Sequence, residues 1–259
     1  MAPAPSPEDF PKTTWGLREV LFGIVVGAAA ILVGLYLVVF VTLGLHQVGV
    51  IHSLSGRSWK AVLPFYNLST TLVFYAIMLG VVVFFAARTG GRVWPQLGIR
   101  RPPYWVLPLM LPLAVALQFG SGLVSEVLSP LLGGMKNPQG CSISQGFGAD
   151  PYLGVIAIVL IAPIVEELTF RGFIFGGLRQ RFGVGWAVVL SSAVFALAHT
   201  LSVGGSILLL GPSLFLAGVA LALTYQWTRS LYPGMVLHAS FNLIAVVAIF
   251  LTTTSANCR

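Results

Sequence analysis

Acidic side chains are nearly missing from this chain: seven Asp and Glu occur among 259 residues. Charged residues of both signs reach only 8%, against roughly 25% in a soluble domain, and this excludes an ordinary water-facing surface. Hydrophobic residues make up 57% and the mean hydropathy is +0.93, which is the composition of a polytopic membrane protein. The net charge of +7 does not indicate nucleic acid, because the 14 Lys and Arg stand singly or in pairs between apolar runs. No internal repeat, Walker loop, His-Glu-x-x-His zinc helix or Gly-x-Gly-Asp motif is present. A serine mechanism finds only Gly204-Gly205-Ser206, which reads as a turn between spans.

What the chain does have is a series of long apolar runs. After a polar, Pro-rich lead (1–18), whose expected state is disordered or interfacial, the run from Val20 to Leu45 is too long for a signal-peptide core and reads as an uncleaved first span. A short amphipathic piece is expected between Gln47 and Leu68. Further spans follow at about 69–87, 105–128 (kinked by Pro108, Pro112 and Gly120), 153 to beyond 172, 186–202, 206–227 and 232–252. The expectation is an all-α bundle of about seven transmembrane helices. Its organisation is read as a lead (1–18), three amino-terminal spans with their loops (19–151), a polar-residue-bearing bundle (152–250) and a short tail (251–259).

Alternate loops differ in charge. One side holds Lys12, Arg18, Arg88, Arg92, Arg100, Arg101, Arg179, Arg181 and Arg229, and the other only Arg57, Lys60, Lys136 and Arg259, so the amino terminus is predicted cytoplasmic. Cys141 and Cys258 then share the external side, where a disulfide can persist, although two free thiols are the simpler reading. Glu126, near the outer end of its span, reads as solvated.

The residues that ask for a reason lie inside spans. Glu166, Glu167 and Arg171 fall in the fourth, Phe195 and His199 in the fifth, and His238 and Asn242 in the seventh. An ionisable group at membrane depth is by default a functional hypothesis. Side chains four apart share a helix face, so Glu167 can pair with Arg171, while Glu166, turned by about 100°, is left for another task. At about 1.5 Å per residue, Glu166 matches the depth of His199 only if the fourth helix continues past Gly172 towards Arg179 and Arg181. His238 reads as shallower, a mismatch left to tilt or to a kink at Pro233-Gly234. A carboxylate kept from water beside a second carboxylate suits a general base acting on water, with an imidazole to orient it. His238 and Asn242 suit donors to the oxyanion of a tetrahedral intermediate. The alternative use of Glu166, His199 and His238 is a three-ligand divalent metal site, with zinc as the usual ion.

The order Glu-Glu-x-x-x-Arg (166–171), Phe-x-x-x-His (195–199) and His-x-x-x-Asn (238–242) resembles the CPBP family, the CAAX proteases and bacteriocin-processing enzymes also called Abi proteins. Ser230-Leu231-Tyr232-Pro233 before the last motif and Leu97-Gly98-Ile99-Arg100-Arg101-Pro102 agree with it. The resemblance covers about residues 152–250. It implies an intramembrane endopeptidase acting on a membrane-associated or prenylated protein or peptide, in which Glu166 and His199 activate water. It further implies that His238 and Asn242 form the oxyanion hole and that Glu167 and Arg171 support the site. Family members are described as metalloproteases, yet a metal-free glutamate mechanism is equally arguable. The expected surroundings are a lipid bilayer, that of a bacterial cytoplasmic membrane, and a peptide substrate, whose cleaved bond should lie near the cytoplasmic face if the site opens to that side. The rival class is a non-enzyme: a transporter or proton relay with helices broken at Gly211-Pro212 and Pro233-Gly234, or an immunity or scaffold protein.

Overall fold

The structure, a computed structural model, describes residues 10–49, 56–134, 151–203 and 207–252; within them every regular element is a helix. Helices α1 (Leu17–Gln47) and α2 (Gly56–Arg88) form the first two crossings. A short α3 (Val93–Gln96) and a 3-10 segment (Tyr104–Leu109) lead into α4 (Met110–Leu131). The fourth crossing is one helical run of changing pitch: α5 (Pro151–Val155), π1 (Ile156–Ile161), α6 (Ala162–Glu166), π2 (Glu167–Phe175) and the opening turns of α7 (Gly176–Val203), where π1 and π2 are π-helical. Helices α8 (Ile207–Thr228) and α9 (Leu231–Thr252) complete the bundle.

Helices are what lipid permits, because each satisfies its own backbone donors and acceptors where no water can. Large apolar side chains such as Phe22, Tyr36, Phe40, Leu131 and Leu251 accordingly point outward. Six helical runs are long and apolar enough to cross a membrane, and one of them, Ile156–Leu201, is 46 residues long. Gly183 divides it, with φ 74° and ψ 178°. The chain must double back there: a straight helix would put Glu166 and His199 about 50 Å apart, whereas their side chains lie 3.2 Å apart. The run therefore supplies two crossings, which gives the seven read from the sequence.

Three expectations are corrected. The lead is not wholly disordered, since Phe10 and Trp15 are buried in the core. Phe10 packs edge-on against Phe175 and Tyr225 under the Arg179 guanidinium, and Trp15 donates its indole N–H to the Phe173 carbonyl at 3.0 Å. The amphipathic piece is not a separate element, because α2 runs unbroken from Gly56. The breaks that would suit a transporter are also not found: α8 is continuous through Pro212, and Pro233 sits in the first turn of α9, where a missing N–H is harmless. In the third span, Pro108 marks the passage from 3-10 to α geometry and α4 then continues from Met110. Glu126 is exposed, as expected. Cys141, Cys258 and Gly204 to Ser206 lie outside the described residues.

The arginine-rich end of the bundle is tied together. Thr14 bonds to Thr89, Gly90 and Gln96, and the Gln180 amide donates to Thr13 and to the Trp15 carbonyl. The Leu231 N–H donates to the Gly98 carbonyl at 2.9 Å, and the Ser230 hydroxyl to the Arg100 carbonyl at 2.7 Å. The loop that carries Leu97 is drawn into the bundle, and a Cβ at Gly172 would meet the Leu97 carbonyl at 2.7 Å. Helix α9 thus begins against this partly buried loop, and His238 comes within 3.6 Å of Glu166 although it lies only about eight residues into its helix.

Gly98 is the hinge of that support. Its φ is +92°, and a Cβ there would meet the Tyr225 ring at 2.5 to 2.8 Å. Gly98→Ala should cost about 2–4 kcal/mol from backbone strain and overpacking together. The expected result is a clear fall in the unfolding temperature of the detergent-purified protein, and an unchanged temperature would remove Gly98 from this role.

Candidate active site

Three crossings bring the singled-out polar side chains to one place. Glu167 is fully buried, and its Oε1 lies 3.0 Å from Arg171 Nη1, so the expected pair is formed. The same oxygen is 3.2 Å from His238 Nδ1, a contact the sequence reading did not include. Arg171 is 1% exposed and donates from Nη2 to the Gly218 carbonyl at 3.0 Å, while its Cζ stands 4.5 Å over the Phe195 ring. Gly218 itself lies against Ser192, so α7 and α8 meet through small residues close enough to offer that carbonyl.

Glu166 faces the other way, as the helical phase predicts. Its Oε1 accepts from the Tyr75 hydroxyl at 2.8 Å. Its Oε2 lies 3.2 Å from His199 Nε2 and 3.6 Å from His238 Nε2, within ion-pair reach but with no donor aligned on it as a hydrogen bond. His199 Nδ1 is 2.9 Å from the Phe195 carbonyl, and His238 Nδ1 is beside Glu167. Both Nδ1 atoms therefore serve as donors, and both Nε2 atoms are turned towards Glu166. Phe195 sets the spacing. Its ring is 4.2 Å from the His199 ring and 5.7 Å from the His238 ring, between centroids, so the Phe of Phe-x-x-x-His acts as the wedge between the imidazoles.

Glycine is required at one approach: a Cβ at Gly234 would lie 3.0 Å from Glu167 Oε2, so α9 passes this carboxylate at backbone distance. Asn242 is half-buried and lines the same cavity as His238, but its Nδ2 donates to the Ile158 carbonyl at 2.9 Å. One of its two N–H groups is thus engaged by the π1 backbone.

Among the described residues no group of three or more His, Cys, Asp and Glu is arranged to hold a metal ion, while Glu166 Oε2, His199 Nε2 and His238 Nε2, the three atoms of the metal alternative, do face one another. Tyr75 was missed, because a lone tyrosine in an apolar span carries no sequence signal of its own. The cavity beside the site also has a direction. The cavity beside Glu166, of about 670 Å³, is lined at its far reaches by Asn67, Ser125 and Ile249. These residues lie near the start of the α2 span, the end of α4 and the end of α9, so the cavity runs away from the arginine-rich end and not towards it.

Residues 148–244 match the Rce1-like family, described as type II CAAX prenyl endopeptidase Rce1-like. The chain is 24% identical over 182 residues to the membrane-embedded CAAX protease MroQ of Staphylococcus aureus (strain USA300), covering 68% of this chain and 71% of that one. It is 32% identical over 120 residues to the UPF0177 protein YxdF of Lactococcus lactis subsp. lactis (strain IL1403), covering 44% of this chain and 63% of that protein. No solved structure matches. Tyr75 lies outside the family match, which contains all the other polar residues of the site.

The Glu167–Arg171 pair is open to a direct test. Arg171→Ala leaves a buried carboxylate without its guanidinium and should cost about 3–5 kcal/mol. Thermal unfolding in detergent is the measure, and a change of under ~0.5 kcal/mol, the scatter of surface substitutions, would show the pair to be dispensable.

Proposed function

We propose that this member of the Rce1-like family is an intramembrane endopeptidase that cleaves a peptide bond with water activated by Glu166 and His199. The observation that carries the reading is the convergence on Glu166 Oε2 of two imidazole Nε2 atoms whose Nδ1 atoms are already committed. A water molecule bound there gives one proton to Glu166 while His199 orients it, and its oxygen attacks the carbonyl carbon. His238, as an imidazolium with Nδ1–H on Glu167, donates from Nε2 to the oxyanion, joined by the uncommitted N–H of Asn242. Glu166 then returns the proton to the departing amine nitrogen as the C–N bond breaks. Glu167 and Arg171 hold His238 rather than touching the substrate, and Tyr75 is a positioning residue for Glu166.

Every step is assigned to groups of this chain, and none needs a metal. The similarity to a CAAX protease and the family description support a membrane-associated peptide or protein substrate. Both bacterial relatives and the excess of arginines on one side support a bacterial cytoplasmic membrane with the amino terminus inside.

Purified protein incubated with membrane-anchored peptides tests this reading. Glu166→Gln, His199→Ala and His238→Ala should each lower cleavage by about 100-fold or more, as loss of a proton-transfer group does. If all three retain wild-type rates, the protease reading fails. Tyr75→Phe should lower turnover about tenfold, which corresponds to ~1.4 kcal/mol, with KM little changed. Protein stripped of divalent ions should keep full activity beside a chelator, and restoration of lost activity by zinc alone would reinstate the metal alternative.

A further inference from the structure

The cavity beside Glu166 has a direction and a chemistry that the family match does not supply. Its α2 wall carries Asn67, Thr70 and Thr71, and its α4 wall carries Gln118, Ser121 and Ser125. Both sets repeat at three or four residues, so each is one helix face. α2 and α4 are not packed along one another; the cavity lies between them. Polar faces of this kind are out of place against lipid and belong to a wetted passage.

The two threonine donors on the α2 wall are already used. The Thr70 and Thr71 hydroxyls both donate to the Asn67 carbonyl, at 2.9 and 2.7 Å, and the Ser213 hydroxyl donates to the Ser121 carbonyl at 3.2 Å. What they present to the cavity is acceptor lone pairs. Gln118 Oε1 is buried and has no hydrogen-bond partner among the described residues. These hydroxyl oxygens and Gln118 Oε1 are acceptors suited to a strand of backbone N–H groups. Such groups are freed when a membrane peptide is unwound to expose a scissile bond, and in a dry site each must find a partner.

The opposite end is closed. Between Glu167 and the arginine-bearing loops stand the buried rings of Trp15, Phe173, Phe175 and Tyr225, capped by the hydrogen bonds of Thr13, Thr14 and Gln180. The lining residues all lie in the halves of their helices remote from that end or at mid-depth.

We infer that substrate reaches Glu166 through this acceptor-lined cavity from the arginine-poor face, which the charge distribution places outside the cytoplasm. The substrate class is then an unwound, outward-facing segment of a membrane-associated or exported peptide, and not a prenylated tail presented from the cytoplasm. The choice of substrate rests on the protease reading above; the direction of access does not.

The full chain with Cys141 and Cys258 changed to Ser carries one new cysteine at a time: Thr70→Cys, Ser125→Cys or, as reporter of the arginine-rich end, Arg92→Cys. A membrane-impermeant charged methanethiosulfonate is applied to spheroplasts and to inverted vesicles. The expected result is labelling of Thr70→Cys and Ser125→Cys in spheroplasts, and of Arg92→Cys only in inverted vesicles. Labelling of both cavity positions only in inverted vesicles, or from neither face, overturns the inference, and two positions guard against one misfolded variant. In a second arm, one cleavable peptide is placed on the outer or the inner flank of a single-span anchor. Cleavage of the outer placement alone, lost with Glu166→Gln, is the expected result, and cleavage of the inner placement alone overturns the inference. If neither is cleaved while the labelling holds, the protease reading falls and the access route stands.

Discussion

The arrangement depends on one buried contact set, in which Glu167 is held between Arg171 and His238. Two charges taken out of water cost several kcal/mol each, and their attraction recovers this only when the remaining donors and acceptors are satisfied. Here that condition is met only in part: the Gly218 carbonyl accepts from the guanidinium, the Phe195 ring lies under it and α9 brings His238 close past Gly234, but Glu167 Oε2 and Arg171 Nε have no hydrogen-bond partner among the described residues. A pair that served stability alone could be replaced by apolar residues with little loss. Its retention makes sense through what it positions: the imidazole that faces Glu166. Glu167 and Glu166, the proposed base, are neighbours in sequence, yet they answer to different helices.

The bundle is divided into a dry half and a wet half. Towards the arginines, aromatic rings and a buried loop fill the space, and the start of α9 rests on Gly98 and Arg100. Away from them, hydroxyl and amide side chains line the cavity. The site sits at the boundary. A carboxylate there is largely shielded while the cavity opens to it from one side, which is the setting that the proposed base requires.

Much of this was legible in the sequence, for physical reasons. Lipid forces long apolar runs, so the crossings could be counted, and scarcity made the ionisable residues conspicuous. Helical phase separated Glu166 from Glu167, and matching depths required the fourth helix to pass Gly172; both hold in the structure. Interactions without periodicity were not legible. Phe10 and Trp15 lie in a Pro-rich lead whose composition says nothing of burial, and their rings are fixed by partners more than 150 residues away. Tyr75 meets Glu166 only because α2 packs on the fourth crossing. The direction of the cavity depends on which halves of six segments are polar together, a property of the assembled bundle alone.

The changing pitch of the fourth crossing links these levels. A π-helical turn is wider than an α-turn and displaces the carbonyls from their usual partners, which explains why such turns are rare and gather at functional sites. In π1 the Ile158 carbonyl is taken by Asn242 from α9. In π2 the wider turns carry Arg171 to the Gly218 carbonyl of α8 while Glu167 faces α9. A uniform α-helix would send Glu167 and Arg171 along one stripe, towards one neighbour. Changing the pitch at Glu167, next to the reactive carboxylate, lets a single helix address α2, α8 and α9 at once. Ordinary helical phase separates the two adjacent glutamates, and the backbone irregularity of this crossing lets Glu167 and Arg171, although paired, reach different neighbouring helices.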